Sequence, residues 1–335
     1  MTKNWTKELS IIAIILSISA IIMGIFIMAK TAPKNDEAQY RDLVKQYYQN
    51  FAAPIPEKVT FCGQEVPIDN VFVREALDRE LISIMYNHST TFLILKRAER
   101  YFPEIEKVLK SQNIPDDIKY LAVAESGLAN VISSAKAEGF WQFVLPTAKE
   151  YGLDTLVGWD ERYDLEKSTI AACQYLKNKK AIFNDWPLAC AAYNSGETGV
   201  KNRMKDQGCD NYWDLYTNTE TSRYVYRIIA YKLIMENPQQ YGYYFRKKDT
   251  YLAIPTQELI IDSSINDLYA FAKHVNVPYK YLRNLNPAIR GSKIVNKNNK
   301  KLKLFIPSSN SLSWENLTKD LKHESIQIGC EGEEI

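Results

Sequence analysis

The stretch Ile114-Pro-Asp-Asp-Ile-Lys-Tyr-Leu-Ala-Val-Ala-Glu-Ser-Gly127 decides how the rest of this 335-residue chain is read. Pro115 has the fixed φ of a first helical residue, and Gly127 can take the left-handed conformation that ends a helix. Between them Ile118, Leu121, Ala122 and Glu125 recur at helical spacing, so a carboxylate continues an apolar stripe at the last turn. Desolvation there disfavours the charged form and raises the pKa. A carboxyl that keeps its proton near neutrality can protonate a leaving oxygen. Periodicity alone leaves the other reading open, a helix-end glutamate turned to solvent.

Working outward, residues 115–237 read as a series of short helices without alternating strand runs. Pro115 and Pro187 stand at helix starts, Gly127, Gly152 and Gly196 at helix ends, and Ser168 at an N-cap position. Upstream, residues 31–37 hold Pro33 and read as a linker, and residues 40–110 are mixed and largely helical. Pro54, Pro56 and Pro67 break the start of that region. Phe92, Leu93, Leu95, Ala98, Tyr101 and Phe102 predict a helix stopping at Pro103, with a second over 103–110. Past Pro238 the pattern changes: strands are predicted at 250–255 and 302–307, with helices at 264–274 and 278–285 between them. From Ser309 the chain is a polar tail.

With 42 basic and 40 acidic side chains the net charge is +2, which gives no reason to expect a nucleic-acid partner. The five cysteines (Cys62, Cys173, Cys190, Cys209, Cys330) include no Cys-x-x-Cys pair, and the three histidines are scattered, so no metal site is expected. No phosphate-binding glycine loop is present, and no cofactor is expected. Residues 11–29 lack any charge and are long enough for a membrane-spanning helix, preceded by Lys3 and Lys7. This run is expected to anchor the chain in the cytoplasmic membrane with its bulk outside.

Four further segments follow Glu125-Ser126 in order: Ser133-Ser-Ala-Lys-Ala-Glu-Gly-Phe-Trp-Gln-Phe143, Pro146-Thr-Ala-Lys-Glu-Tyr-Gly-Leu153, Ala191-Ala-Tyr-Asn-Ser-Gly196 and Glu220-Thr-Ser-Arg-Tyr-Val225. Together they resemble the motifs of the soluble-lytic-transglycosylase domain (glycoside hydrolase family 23), and within it the membrane-bound lytic murein transglycosylase D group. The resemblance covers residues 102–241. It implies a lysozyme-like, mostly helical fold with a glycan cleft and Glu125 as the catalytic acid/base. It also implies that Ser133, Gln142, Tyr193, Asn194 and Tyr224 meet the substrate. Ser126 is expected to support the helix end, and Gly139 to let the backbone approach a sugar or the glutamate helix. Phe140 and Trp141 are equally open to packing or contact. Where the family has Gly-Ala-x-Gly, this chain has Lys136-Ala-Glu-Gly139. That substitution is expected to alter the turn and to bring Lys136 and Glu138 to bear on Glu125 in opposite directions. Trp159-Asp-Glu-Arg-Tyr-Asp164 is acidic enough to mimic a catalytic cluster, but the resemblance makes it a structural turn.

The C-terminal residues Ile265-Asn-Asp-Leu-Tyr-Ala-Phe-Ala272, Tyr281-Leu-Arg-Asn-Leu-Asn-Pro287 and Leu304-Phe-Ile-Pro307 resemble a divergent LysM unit. The expected organisation is an N-terminal transmembrane anchor or signal (1–30), a linker and helical extension (31–101), a mainly α, lysozyme-like α+β catalytic domain (102–245), a βααβ LysM-like module (246–308) and the tail (309–335). The resemblance implies cleavage of the MurNAc-GlcNAc bonds of peptidoglycan glycan strands with 1,6-anhydro ends, in the cell envelope facing the periplasm. A hydrolytic muramidase of the same fold and a non-catalytic glycan-binding scaffold are the alternatives.

Overall fold

The computed structural model describes residues 9, 13–23, 50–308 and 312–321. Residues 13–23 of the expected anchor are helical with exposed apolar side chains, and the rest of the 11–29 run lies outside the described residues. Among the described residues no helix is long and apolar enough to cross a membrane.

From residue 53 onward the chain is mainly helical. A two-residue hairpin, β1 (Thr60–Phe61) with β2 (Gln64–Glu65), precedes helices α1 (Val71–Met85), α2 (His88–Ser111) and α3 (Lys119–Ser126). After α4 (Leu145–Glu150) comes a second tight hairpin, β3 (Thr155–Leu156) with β4 (Trp159–Asp160). Helices α5 (Leu165–Phe183), α6 (Trp186–Ser195), α7 (Glu197–Gln207) and α8 (Thr219–Glu236) complete the helical body. Phe61, Leu77, Leu81, Ile105, Leu109, Leu121, Trp141, Leu176, Leu188 and Ile229 share one core. Residues 53–101 therefore help build the same core as the helices that follow them.

Several expectations need correcting. Pro103 does not end a helix: α2 runs through it. Ile94, Leu95, Ile105, Val108 and Leu109 form one buried face on both sides of the proline, and that packing outweighs the roughly 3 kcal/mol a helix-interior proline costs. Ser168 is not an N-cap; Asp164 is, accepting from the Lys167 amide, while the Ser168 hydroxyl donates to the Asp164 carbonyl. The hairpin β3–β4 lies in a region read as free of strands, because two-residue strands leave no alternation to detect. Among the described residues Cys62, Cys173, Cys190 and Cys209 are free thiols; Cys330 lies outside them.

The C-terminal module is βααβ: β5 (Thr256–Ile261), α9 (Leu268–His274), α10 (Tyr279–Leu285) and β6 (Leu302–Pro307). The strands pair antiparallel from Thr256↔Pro307 to Ile261↔Leu302. The first strand therefore begins where residues 250–255 were expected to end. Residues 250–252 instead face α2: the Tyr251 amide donates to the Lys96 carbonyl, and Arg100 Nε donates to the Leu252 carbonyl at 3.0 Å. Within the described part of the tail lies a short helix, α11 (Trp314–Thr318).

The hairpin β3–β4 fastens this module to the helical body. Val295 N donates to Val157 O at 3.0 Å, Arg290 N to Gly158 O at 2.8 Å, and Asp160 N to Ala288 O at 2.9 Å. Trp159 and Tyr163 enter the module's own core beside Leu268, Leu282, Ile289 and Leu304. Lys303 pairs with Glu166 at 2.8 Å, and Lys300 pairs with Asp154. Gly158 sits at the closest approach with φ +85°, and a Cβ there would lie 1.7 Å from the Lys293 carbonyl oxygen. Gly158→Ala should destabilise the protein by more than about 3 kcal/mol, since clash and left-handed strain add. Thermal unfolding would read the loss, and hydrogen exchange would show residues 256–307 losing protection first.

Candidate active site

Helix α3 opens after a short 3-10 turn (Asp116–Ile118) that follows Pro115, and it ends at Gly127 with φ 59°. Ile118, Leu121 and Ala122 are fully buried, as the apolar stripe requires, and Glu125 is half-buried at its end. The helix is held from several sides. Arg97 of α2 donates to the Gly127 carbonyl at 3.0 Å, satisfying part of the exposed C-terminus. Asp117 accepts from the Cys62 amide at 2.6 Å and from Lys232 of α8 at 2.9 Å. Ser126 donates to the Ala122 carbonyl one turn back, a helix-end contact.

Glu125 meets Tyr224 of α8, whose hydroxyl donates to Glu125 Oε1 in a short hydrogen bond. Burial pushes the Glu125 carboxyl up to about 7; the Tyr224 hydrogen bond pulls the other way, Glu220 raises it and Arg227 lowers it. Lys136 and Glu138 are not the charges that act on it, contrary to expectation. Glu138 is instead held by Arg162 at 3.1 Å, which also binds Asp160. Lys136 takes φ 58°, so here a lysine holds a left-handed backbone conformation and bears its cost.

Tyr193 lies close enough for the Glu125 charge to add to burial in raising its phenol well above the ordinary value. Its hydroxyl donates to the Trp141 carbonyl at 2.6 Å, and its ring meets Phe143 and Tyr175 edge-on. Asn194 Oδ1 accepts from Thr221 of α8 at 3.0 Å. Gln142 has φ 50° and donates to the carbonyls of Val131 at 3.0 Å and Gly139 at 2.8 Å, which uses both amide hydrogens and leaves its carbonyl oxygen for another partner. Glu125, Tyr193 and Tyr224 are thus brought together. Ser133 is not bonded to Glu125; its hydroxyl accepts from the Ala137 amide and staples its own loop. Gly139 does not approach the glutamate helix: a Cβ there would lie 2.0 Å from the Arg162 carbonyl oxygen, so the glycine admits the Asp160–Asp164 turn. Phe140 and Trp141 are packing residues. Phe140 meets Tyr101, and the fully buried Trp141 donates to Thr169 at 2.9 Å.

Glu80 of α1 was not singled out from the sequence. It is 1% exposed and accepts from Arg223 at 2.6 Å and Arg227 at 3.4 Å, the arginines flanking Tyr224 on α8. The signal was available: Glu80 falls on the Val73, Leu77, Leu81, Ile84 face of its helix, the same acid-in-stripe pattern as Glu125.

Residues 102–215 match the Transglycosylase SLT domain model, and residues 257–310 match the model of the Soluble lytic transglycosylase C-terminal LysM-like domain. This chain carries a transglycosylase SLT domain. Over 249 residues it is 30% identical to membrane-bound lytic murein transglycosylase D of Escherichia coli strain K12, covering 72% of this chain and 54% of that protein. The protein of the same name in Escherichia coli O6:H1 matches equally. The chain thus spans about half the length of the curated relatives it matches. The SLT match ends before α8, so Tyr224, which touches Glu125, comes from beyond it.

Two measurements follow. Because the folded carboxyl binds its proton more tightly than the ordinary 4.5, Glu125 contributes most to stability below pH 4.5, and that contribution is lost as pH rises through about 7. Glu125→Gln should therefore be more stable than the native chain at pH 8, by on the order of 2 kcal/mol after solvent screening, with the gap closing below pH 4.5. Thermal unfolding across pH would check it. Glu80→Ala should cost about 3 kcal/mol at pH 7, since it takes the buried partner from Arg79, Arg223 and Arg227; chemical denaturation reads that value.

Proposed function

We propose that the chain is a lytic transglycosylase that cleaves the β-1,4 bond between N-acetylmuramic acid and N-acetylglucosamine in peptidoglycan, leaving 1,6-anhydro ends. The observation that carries this reading is the half-buried carboxyl of Glu125, whose burial keeps it protonated up to about pH 7. Glycosidases that use water ordinarily need a second carboxylate as base or nucleophile. The two carboxylates to consider are both paired with arginines, Glu220 with Arg227 and Glu138 with Arg162.

In the proposed reaction Glu125 gives its proton to the glycosidic oxygen as the bond to C1 breaks. The substrate's 2-acetamido group stabilises the positive charge at C1. The Glu125 carboxylate then takes the proton of the C6 hydroxyl, and O6 closes on C1, so the acid is restored and no water is consumed. An intramolecular hydroxyl competes well with water because its effective concentration is high. Tyr224 holds the carboxyl in place and supports its anionic form between the two proton transfers. Tyr193, Asn194, Gln142 and Ser133 line the glycan path in this reading, with Gln142 offering its free carbonyl oxygen.

The same reading places the protein in the cell envelope, anchored by residues 11–29 and facing the periplasm, with the domain limits 102–245 and 246–308. Both relatives are named as membrane-bound, which supports the anchor. Digestion of purified peptidoglycan by the native chain should release fragments with anhydro ends, identified by mass, and Glu125→Gln should release none. Cleavage should fall as pH rises above about 7, where the acid loses its proton. Reducing ends would replace this reading with hydrolysis, and binding without products would leave a scaffold.

A further inference from the structure

The loop over residues 131–143 carries Ser133 and Gln142, and its backbone turns left-handed three times. Lys136, Gly139 and Gln142 take φ of 58°, 83° and 50°, and only the second is a glycine. Such conformations persist where the surroundings over-determine them. Inside the loop there are two single bridges, Ile132 with Glu138 and Glu138 with Phe143. The rest of the hold comes from outside it. On one side of Gln142, the Trp141 carbonyl accepts from Tyr193 and the Trp141 indole donates to Thr169. On the other side stands Arg162.

Arg162 is 6% exposed, and each guanidinium nitrogen is engaged. Nη1 donates to the carbonyls of Phe143 at 3.3 Å and Lys136 at 3.4 Å. Nη2 binds Glu138 at 3.1 Å and Asp160 at 2.6 Å, and Nε donates to Asp160 at 3.1 Å. The Arg162 carbonyl fills the place a Gly139 Cβ would need. One residue thus meets the loop at positions 136, 138, 139 and 143. Only a rigid planar fork of donors can hold carbonyls and carboxylates in several directions at once. Arg162 is in turn fixed by the C-terminal module. Trp159 and Tyr163, on either side of it in sequence, are buried in the module's core. The Asp160 amide donates to the Ala288 carbonyl, and the Arg290 guanidinium lies 3.9 Å over the Tyr163 ring.

We propose that Arg162 is a positioning residue for the glycan path: it fixes the direction of the free Gln142 carbonyl oxygen, and the C-terminal module sets that direction by seating the turn that carries Arg162. The module then acts on the cleft by bracing it, with no ligand of its own required. That Gln142 meets glycan rests on the function proposed above; the clamp on its loop does not.

The test uses the full chain on soluble peptidoglycan glycan strands. Arg162→Lys keeps a positive charge beside Asp160 and Glu138 but loses the fork. It should raise KM about tenfold, the worth of one misaimed hydrogen bond. Its kcat should not change, because Glu125 and Tyr224 are untouched. In a Gln142→Ala background Arg162→Lys should have no further effect on KM, since both act through one contact. Multiplying effects, or a loss confined to kcat, would overturn the proposal. Glu138→Gln loosens the same clamp more mildly, at a side chain 20% exposed, and is carried through the same cycle, so a folding defect in Arg162→Lys leaves the test intact. Hydrogen exchange reads the clamp without activity. Arg162→Lys and Arg290→Leu should each speed exchange of the Glu138 and Gly139 amides, the second although Arg290 belongs to the module. Unchanged exchange there in Arg290→Leu would remove the module's part in the proposal. A native chain that cuts no glycan while its loop exchange responds as expected would sink the function proposed above and leave the clamp standing.

Discussion

The contact between the Tyr224 hydroxyl and the Glu125 carboxyl is the constraint around which the helical body is arranged. The two residues lie 99 positions apart on different helices, so their meeting requires α3 and α8 to be held in register. Asp117, in the turn that opens α3, binds Lys232 of α8, Glu80 of α1 gathers Arg223 and Arg227 on either side of Tyr224, and Thr221 steadies Asn194. Each of these is a buried or half-buried polar contact in a low-dielectric setting, where an unpaired group is expensive and geometry is therefore well defined. The same exclusion of water that makes these bonds strong keeps Glu125 protonated near neutrality.

The hairpin β3–β4 plays the matching part for the second half of the chain. It is too short to fold alone, yet it lends backbone bonds and two aromatic side chains to the C-terminal module. A module of some fifty residues has little surface to bury by itself, and borrowing Trp159 and Tyr163 enlarges its core. The acidic residues of the Trp159–Asp164 segment are structural: Asp160, with Glu138, holds Arg162, Glu161 holds Lys167, and Asp164 caps α5.

Legibility in the sequence followed the length over which a pattern is repeated. The helix ending at Gly127, the βααβ order of the module and the segments bearing Glu125, Tyr193 and Tyr224 were all readable, because periodicity and capping residues act locally. The run through Pro103 was misread because a local rule met a tertiary one: buried faces on both sides of the proline outweighed its missing hydrogen bond. Ser133 was expected to meet the substrate and Gly139 to let the backbone approach a sugar or the glutamate helix; what the fold adds is that the Ser133 hydroxyl also staples its own loop and that Gly139 makes room for the Arg162 carbonyl. Glu80 was missed although it shows the same acid-in-stripe signal as Glu125, since no neighbouring motif drew attention to it.

By itself the sequence determined that a carboxylate would sit at the end of an apolar helical face, and that short helices and a βααβ unit would follow. These are consequences of side-chain spacing and backbone preference within a few residues. Only the tertiary structure decided what that carboxylate would face, because its partner comes from a helix 99 residues away and its protonation depends on how much water the packed helices exclude. It also decided that the module would be bonded to the body along Val157–Asp160, since backbone groups carry no side-chain signature and their pairing is settled by where the folded surfaces meet.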